Sequence, residues 1–421
     1  MHSEGAFIVV ACTGIAIEPK RTNGAYRSEK RMAIRIATDE VLETSVQLGV
    51  KNIIYYGGPG PPMLPDTDQP HGKARNEYED FVAFRERVES YGLTVAACEG
   101  GFVADPRFHE VAIGGPNRDE RDERIKELAA EITDMGRAGI PILGYHWMPA
   151  SVWRSGQVKI RGGSDATAWD NDSDEQAPIG PINIPEHYDT SKENMWECLE
   201  YWIKFITPIA EAAGIRLGIH PDDPPVPELM GVSRLLGSFD AYKRLISIVD
   251  SPSNAIEFCQ GTFSEMPGED IYEMIKHFAE HKKVLYVHFR NVSARVPKFN
   301  EEFINTGYVD MKRAMETYNA AGYDGAFMDD HCPLLVNDAE FPGNWSGYRS
   351  RIFAQGYIQA MLEAVTVSDQ GLVATKCWWL SGSSAKAYLS TSRLLITALL
   401  LRNFINTAST RSRSGFSSIC T

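Results

Sequence analysis

Six apolar runs in this chain end on, or one residue past, a side chain that binds a metal or moves a proton: Glu99, His146, His220, Cys259, His288 and Asp330. The last four come from successive runs. Two neutral imidazoles, a thiolate and a carboxylate make a four-ligand set for one divalent ion, with positions left for a substrate. The thiolate of Cys259 favours zinc or iron, while Asp330 also admits manganese, so ligand chemistry alone leaves the ion open. Each residue also has a plainer reading. His220 can be a histidine hydrogen-bonded in the stiff turn HPDDPP, Cys259 a small buried hydrophobe, His288 a satisfied core histidine and Asp330 a turn carboxylate. It is the repetition at run after run that favours a site.

Two neighbours add chemistry. Arg290 follows His288 by two residues, which puts it on the same side of a strand, and a guanidinium there can grip a carboxylate through two parallel hydrogen bonds or serve in a surface salt bridge. His331 follows Asp330 directly and points differently; it fits an acid or base as well as it fits a structural role. Around His220, the prolines of LGIHPDDPP stiffen the turn, and Asp222 and Asp223 are turn formers or partners that steady the histidine.

These residues need elements that aim them at one place. Eight short apolar runs have the character of buried strands: residues 6–12, 52–57, 93–99, 140–146, 215–220, 255–259, 284–289 and 325–330. Amphipathic stretches separate most of them, such as YEDFVAFRERVESYG and NMWECLEYWIKFITPIAEAAG, each closing near a Gly or a Lys pair. Continuous apolar strands alternating with helices predict a parallel sheet covered on both faces. Eight of them predict a closed (β/α)8 barrel over residues 1–366, with the site residues at the C-terminal strand ends; the same periodicity also fits an open doubly wound sheet.

Residues 155–190 are polar and rich in Gly, Pro, Asp and Ser, which predicts a long loop or lid over the barrel mouth. Residues 367–421 form a Ser- and Thr-rich tail with basic residues and no acid after Asp369. The tail reads as a disordered arm, a terminal helix around LLITALLL, or a chain end foreign to the fold, in each case without a catalytic role.

The formal charge of −14 argues against a protein that grips phosphate backbones. Seven scattered cysteines without CxxC spacing suggest a reducing cytoplasm. No apolar run reaches the roughly 18 residues of a membrane span.

With HPDDPP at 220–225, FCQGTF at 258–263, HFR at 288–290 and the Asp330–His331 pair in this order, the chain resembles mannonate dehydratase, the sugar-acid dehydratase of hexuronate breakdown, from about residue 50 to 366. The resemblance implies a (β/α)8 barrel holding Mn2+ or Fe2+ through His220, Cys259, His288 and Asp330. It implies catalytic roles for His331 and Tyr348, while Arg290, His146 and Glu99 are candidates for substrate binding from their places near strand ends. The reaction implied is conversion of D-mannonate, or a closely related aldonate, to 2-keto-3-deoxy-D-gluconate. Its expected partners are that sugar acid and further copies of the chain, as a dimer or higher.

The chain departs from the family's pattern in places. It has YYGGPGPP at 55–62 where a histidine pair is common, YHWMP at 145–149 where YNFMP is usual, and Val-Trp-Arg-Ser at 152–155 where Asp-Trp-Thr-Arg often follows. The metal half of the pattern is kept and part of the substrate half is altered. Two rivals are a xylose-isomerase-like isomerase or epimerase, which typically uses more carboxylate ligands, and a silent barrel that only binds a metal or sugar acid.

Overall fold

In the computed structural model, residues 32–34, 38–56, 76–100, 108–115, 118–179, 182, 184, 187–338 and 347–371 are described. Eight parallel strands close into a barrel: β1 (Met32–Ile34), β2 (Asn52–Tyr56), β3 (Thr94–Glu99), β4 (Ile142–His146), β5 (Arg216–His220), β6 (Asn254–Cys259), β7 (Val284–His288) and β8 (Ala326–Met328). Each strand pairs with its neighbours in sequence, and β1 pairs with both β2 and β8 to complete the circle. The (β/α)8 barrel is therefore the fold, and the open doubly wound sheet is not.

One strand differs from the sequence reading. The run at 6–12 lies outside the described residues, and the place it was given in the barrel is taken by the short segment Met32–Ile34. Three residues flanked by basic and polar ones leave little periodicity to read.

Helices cover the outside of the barrel, and α1 (Lys192–Ala213) shows why they form. Ser191 caps it by accepting from the Asn194 N–H, and Gly214 ends it in a left-handed conformation that a side chain would disfavour. Between these caps Met195, Leu199, Trp202, Ile206 and Ala210 recur at helical spacing and are buried in the layer between helices and barrel. Inside the barrel a smaller cluster of Ile54, Ala97, Ile142, Ala255, Leu285, Tyr286 and Met328 fills the axis below the site. Among the described residues, no helix is long and apolar enough to cross a membrane.

The segment expected to be a loop after β4 is built from strands. Residues 157–159 pair with 165–170, these pair with 298–302, and 298–302 pairs in turn with 291–292, in a four-stranded antiparallel sheet. This sheet joins the loops that follow β4 and β7. Trp153, Trp169, Val226, Leu229, Val292 and Phe299 form its own apolar cluster. Polar composition hid it because an antiparallel sheet needs one apolar face only. A last helix, α2 (Tyr348–Gly371), runs five residues beyond the barrel end expected at 366, and residues 372–421 lie outside the described residues.

Candidate functional site

The barrel register fixes the site before any side chain is considered. His146 on β4 stands beside His220 on β5, and Cys259 on β6 stands beside His288 on β7. These residues end their strands, so they share the C-terminal rim of the barrel. His220, Cys259 and His288 offer ligand atoms that all lie within 4.8 Å of one another. Asp330 joins them, its Oδ2 3.5 Å from His288 Nδ1 and 3.9 Å from Cys259 Sγ.

The donor atoms fit a metal. His220 Nδ1 lies 2.7 Å from the Pro221 carbonyl, an acceptor only, so the proton sits on Nδ1 and the lone pair is on Nε2. His288 Nδ1 is buried and has no hydrogen-bond partner. Burial pushes the Cys259 thiol up, but Arg290 and His220 outweigh it and hold the sulfur well below its ordinary value, as a thiolate. Burial lowers His220, and the Cys259 and Glu257 charges overcome it and raise the imidazole to about 9. A divalent cation bound here would replace that proton.

A cleft opens above these groups, lined by Glu99, His146, His220, Glu257, His288, Asp330 and His331 among others. His331 is the exposed member of a held pair. Its Nδ1 is 2.9 Å from Glu301 Oε1, and its Nε2 lies 3.7 Å from Asp330 Oδ2. A proton on Nδ1, given to Glu301, leaves the Nε2 lone pair for the cleft. Glu301 comes from the four-stranded antiparallel sheet and stays ionised: burial raises it, and Arg290 and His331 outweigh that and hold it below its usual value.

Arg290 stands elsewhere than the sequence suggested. It is buried at 2% exposure and does not line the cleft. Its Nε meets Asp330, its Nη1 meets Glu265 and both Glu301 oxygens, and its Nη2 meets Asp223 and the Thr262 hydroxyl. Every guanidinium nitrogen is engaged, so none is left to clamp a substrate carboxylate. Gly261 of the FCQGTF run makes room for it, since a Cβ there would press into the guanidinium.

Arg154, inside the altered Val-Trp-Arg-Ser stretch, supports the same network. It grips Asp223 with two nitrogens, at 2.5 and 2.9 Å, and reaches Glu301 at 3.0 Å. The two aspartates of HPDDPP thus divide their work. Asp223 anchors both arginines, and Asp222 accepts from the Leu236 N–H to pin the turn.

Glu99 and His146 line the cleft as expected. Glu99 Oε2 also lies 3.0 Å from His288 Nε2, so the same carboxylate orients a candidate ligand. His146 Nδ1 accepts from the Met148 N–H at 3.3 Å, which places its proton on Nε2. Burial, then His220 and Arg234, depress His146 to about 3, so it stays neutral. Tyr348, at the head of α2, packs against the core layer and is not among the residues lining the cleft.

Glu257, Glu301 and Arg154 were not singled out from the sequence. Glu257 carried a signal, because it lies two residues before Cys259 and must share its side of the strand. Burial and the neighbouring Glu99 push it up to about 8.

The comparisons follow this geometry. A mannonate dehydratase of Halalkalibacterium halodurans is 28% identical over 312 residues, covering 68% of this chain and 87% of the relative. One from Streptococcus uberis is 29% identical over 314 residues, covering 68% and 86%. The solved mannonate dehydratase of Streptococcus suis serotype 2 superposes with a TM-score of 0.68 at 25% identity, covering 85% of this chain and 99% of that one. A D-tagatose 3-epimerase-like protein, at 12% identity and a TM-score of 0.51, shares the barrel fold. The family model for D-mannonate dehydratase (UxuA) matches residues 37–371. By that match over most of its length, the chain belongs to the D-mannonate dehydratase family.

Proposed function

We propose that this protein dehydrates D-mannonate, or a closely related aldonate, to 2-keto-3-deoxy-D-gluconate, with Mn2+ or Fe2+ held by His220, Cys259, His288 and Asp330. The observation that carries this reading is the meeting of those donors in one cleft with a carboxylate-backed histidine. A divalent ion there supplies positive charge for the substrate carboxylate and for the enediolate charge that grows when the C2 proton leaves.

The chain's own residues do the rest. His331 Nε2 takes the C2 proton, and Glu301 holds the imidazolium through Nδ1. The protonated His331 then delivers that proton to the C3 hydroxyl oxygen as the C3–O bond breaks, releasing water. The enol that remains tautomerises to the 2-keto acid. His146 presents a fixed Nε2–H donor to a substrate oxygen, and Asp223 with the two arginines keeps Glu301 in place. Because Tyr348 is not among the described residues lining the cleft, both proton transfers fall to His331 in this reading.

The test is chelation followed by return of metal, with formation of the 2-keto-3-deoxy product as readout. Activity on mannonate should vanish with chelator and return with Mn2+ or Fe2+. Full turnover in metal-free protein would overturn the assignment. A panel of aldonates separates the dehydratase from an isomerase, which would yield an isomeric sugar with no loss of water.

A further inference from the structure

Three of the four candidate ligands are held by the barrel itself. His220, Cys259 and His288 are the last residues of their strands and stand in its hydrogen-bonded register. Asp330 is placed differently. Strand β8 ends at Met328, so the fourth ligand and the His331 beside it lie beyond the barrel ladder. Side chains that must keep one geometry there need another support.

The last helix supplies it. Arg351 Nη1 donates to the Asp330 carbonyl at 2.7 Å and to Asp329 Oδ2 at 2.8 Å. Gln355, one turn further along the same face of α2, donates from Nε2 to Asp329 Oδ1. All three side chains are buried, so water cannot stand in for a lost partner. Past His331, the Ser350 hydroxyl donates to the Pro333 carbonyl, so the same helix holds the chain on both sides of the histidine. The helix is a firm base, since Ala354, Ile358, Leu362 and Val365 recur at helical spacing and are buried in the core layer.

Two arginines therefore share Asp330. Arg290 Nε meets its Oδ2 at 3.1 Å, and Arg351 meets its main chain. Arg351 is not among the described residues lining the cleft, so it reaches the chemistry through Asp330 and His331 alone.

We propose that Arg351 is a positioning residue: by clamping the Asp330 main chain and the buried Asp329 to α2, it sets the place of the fourth metal ligand and of the His331 base together. The inference rests on the roles given to Asp330 and His331 under the proposed function.

Steady-state kinetics on mannonate at saturating Mn2+, paired with Mn2+ titration followed by electron paramagnetic resonance, tests it. Arg351→Gln should weaken Mn2+ binding and lower kcat, each by about ten- to a hundredfold, as for other side chains that steady a ligand, while KM for mannonate changes little. Arg351→Lys keeps a cation and should recover part of both losses. A merely structural ion pair would lower the melting temperature and leave Mn2+ affinity and kcat of the folded protein at wild-type values. That result overturns the proposal, as does Arg351→Lys performing no better than Arg351→Gln. Should Arg351→Gln not fold, Gln355→Leu gives the same two readings: a smaller loss in both supports the clamp, and wild-type values overturn it. Wild-type protein that turns over mannonate after chelation overturns the proposed function and this inference together, whereas a metal-dependent wild type with unaltered variants overturns this inference alone.

Discussion

The two sides of the cleft are built on opposite electrostatic plans. On one side Arg154, Asp223, Arg290, Glu301 and His331 form a closed network in which each charge has a partner. On the other, Glu99 and Glu257 crowd His288, whose Nε2 lies 3.0 Å from the first carboxylate and 3.3 Å from the second. Side chains that must hold still are paired within the protein. Side chains that line the cleft are the ones a ligand meets. The pairing also explains why Arg290 is unavailable to substrate: its task is to keep Glu301, Asp223 and Asp330 in position.

The largest effect should come from removing the proton carrier on the paired side. His331→Asn is expected to lower kcat by about a hundredfold to ten-thousandfold, the usual worth of a positioned acid–base group. Mn2+ binding should be retained, because His331 is not among the proposed ligands. Steady-state rates alongside metal counts check this; an unchanged kcat would move the chemistry elsewhere in the cleft.

Next in size is the cost of breaking the pairing itself. Arg154→Met leaves Asp223 and Glu301 buried with one cation fewer, and removal of one partner from a buried pair costs about 3–5 kcal/mol. Chemical denaturation should show that loss. Glu257→Gln, on the other side, replaces a carboxyl that burial and Glu99 hold largely protonated near neutral pH and should leave the melting temperature of metal-free protein nearly unchanged. Equal destabilisation by both would erase the contrast between the two sides.

Acid should separate the sides as well. Asp223 is buried, which raises it, but Arg154 and Arg290 outweigh burial and hold its carboxyl well below the ordinary value; Glu301 is also held low. In the unfolded chain both carboxyls protonate near pH 4. Their folded values being lower, the stability they contribute is fully present above about pH 4–5 and is lost as pH falls toward the folded values. Melting temperature should drop on acidification through that window, and in Asp223→Asn the drop should be shallower. An identical acid profile in the variant would remove Asp223 from the account.

Much of this was legible in the sequence, for reasons that also mark the limit. Seven of the eight barrel strands were readable because each is a continuous apolar run, and several of their last residues stand side by side at one rim. The strand at Met32–Ile34 is too short to carry a pattern. His220, Cys259, His288 and Asp330 were readable because chemistry recurred at equivalent strand ends. Glu301 and Arg154 were not, since they meet only after the lid sheet pairs residues 298–302 with 165–170, a contact between distant loops. Arg290 was placed on the correct strand end and given the wrong partner, because spacing tells where a side chain starts and not how many buried carboxylates wait for it.

The smallest expected effect concerns Tyr348, which the family pattern suggested and the cleft does not include. Its position at the head of α2, against the core layer, gives it packing to lose and no reacting atom to touch. Tyr348→Phe keeps the ring and removes only the hydroxyl. With both proton transfers assigned to His331, kcat should change by no more than about twofold, a difference of roughly 0.5 kcal/mol in barrier height. A fall of a hundredfold would mean that the acid is supplied from α2 and that His331 acts as base alone. The paired side of the cleft would then hold half of the proton traffic.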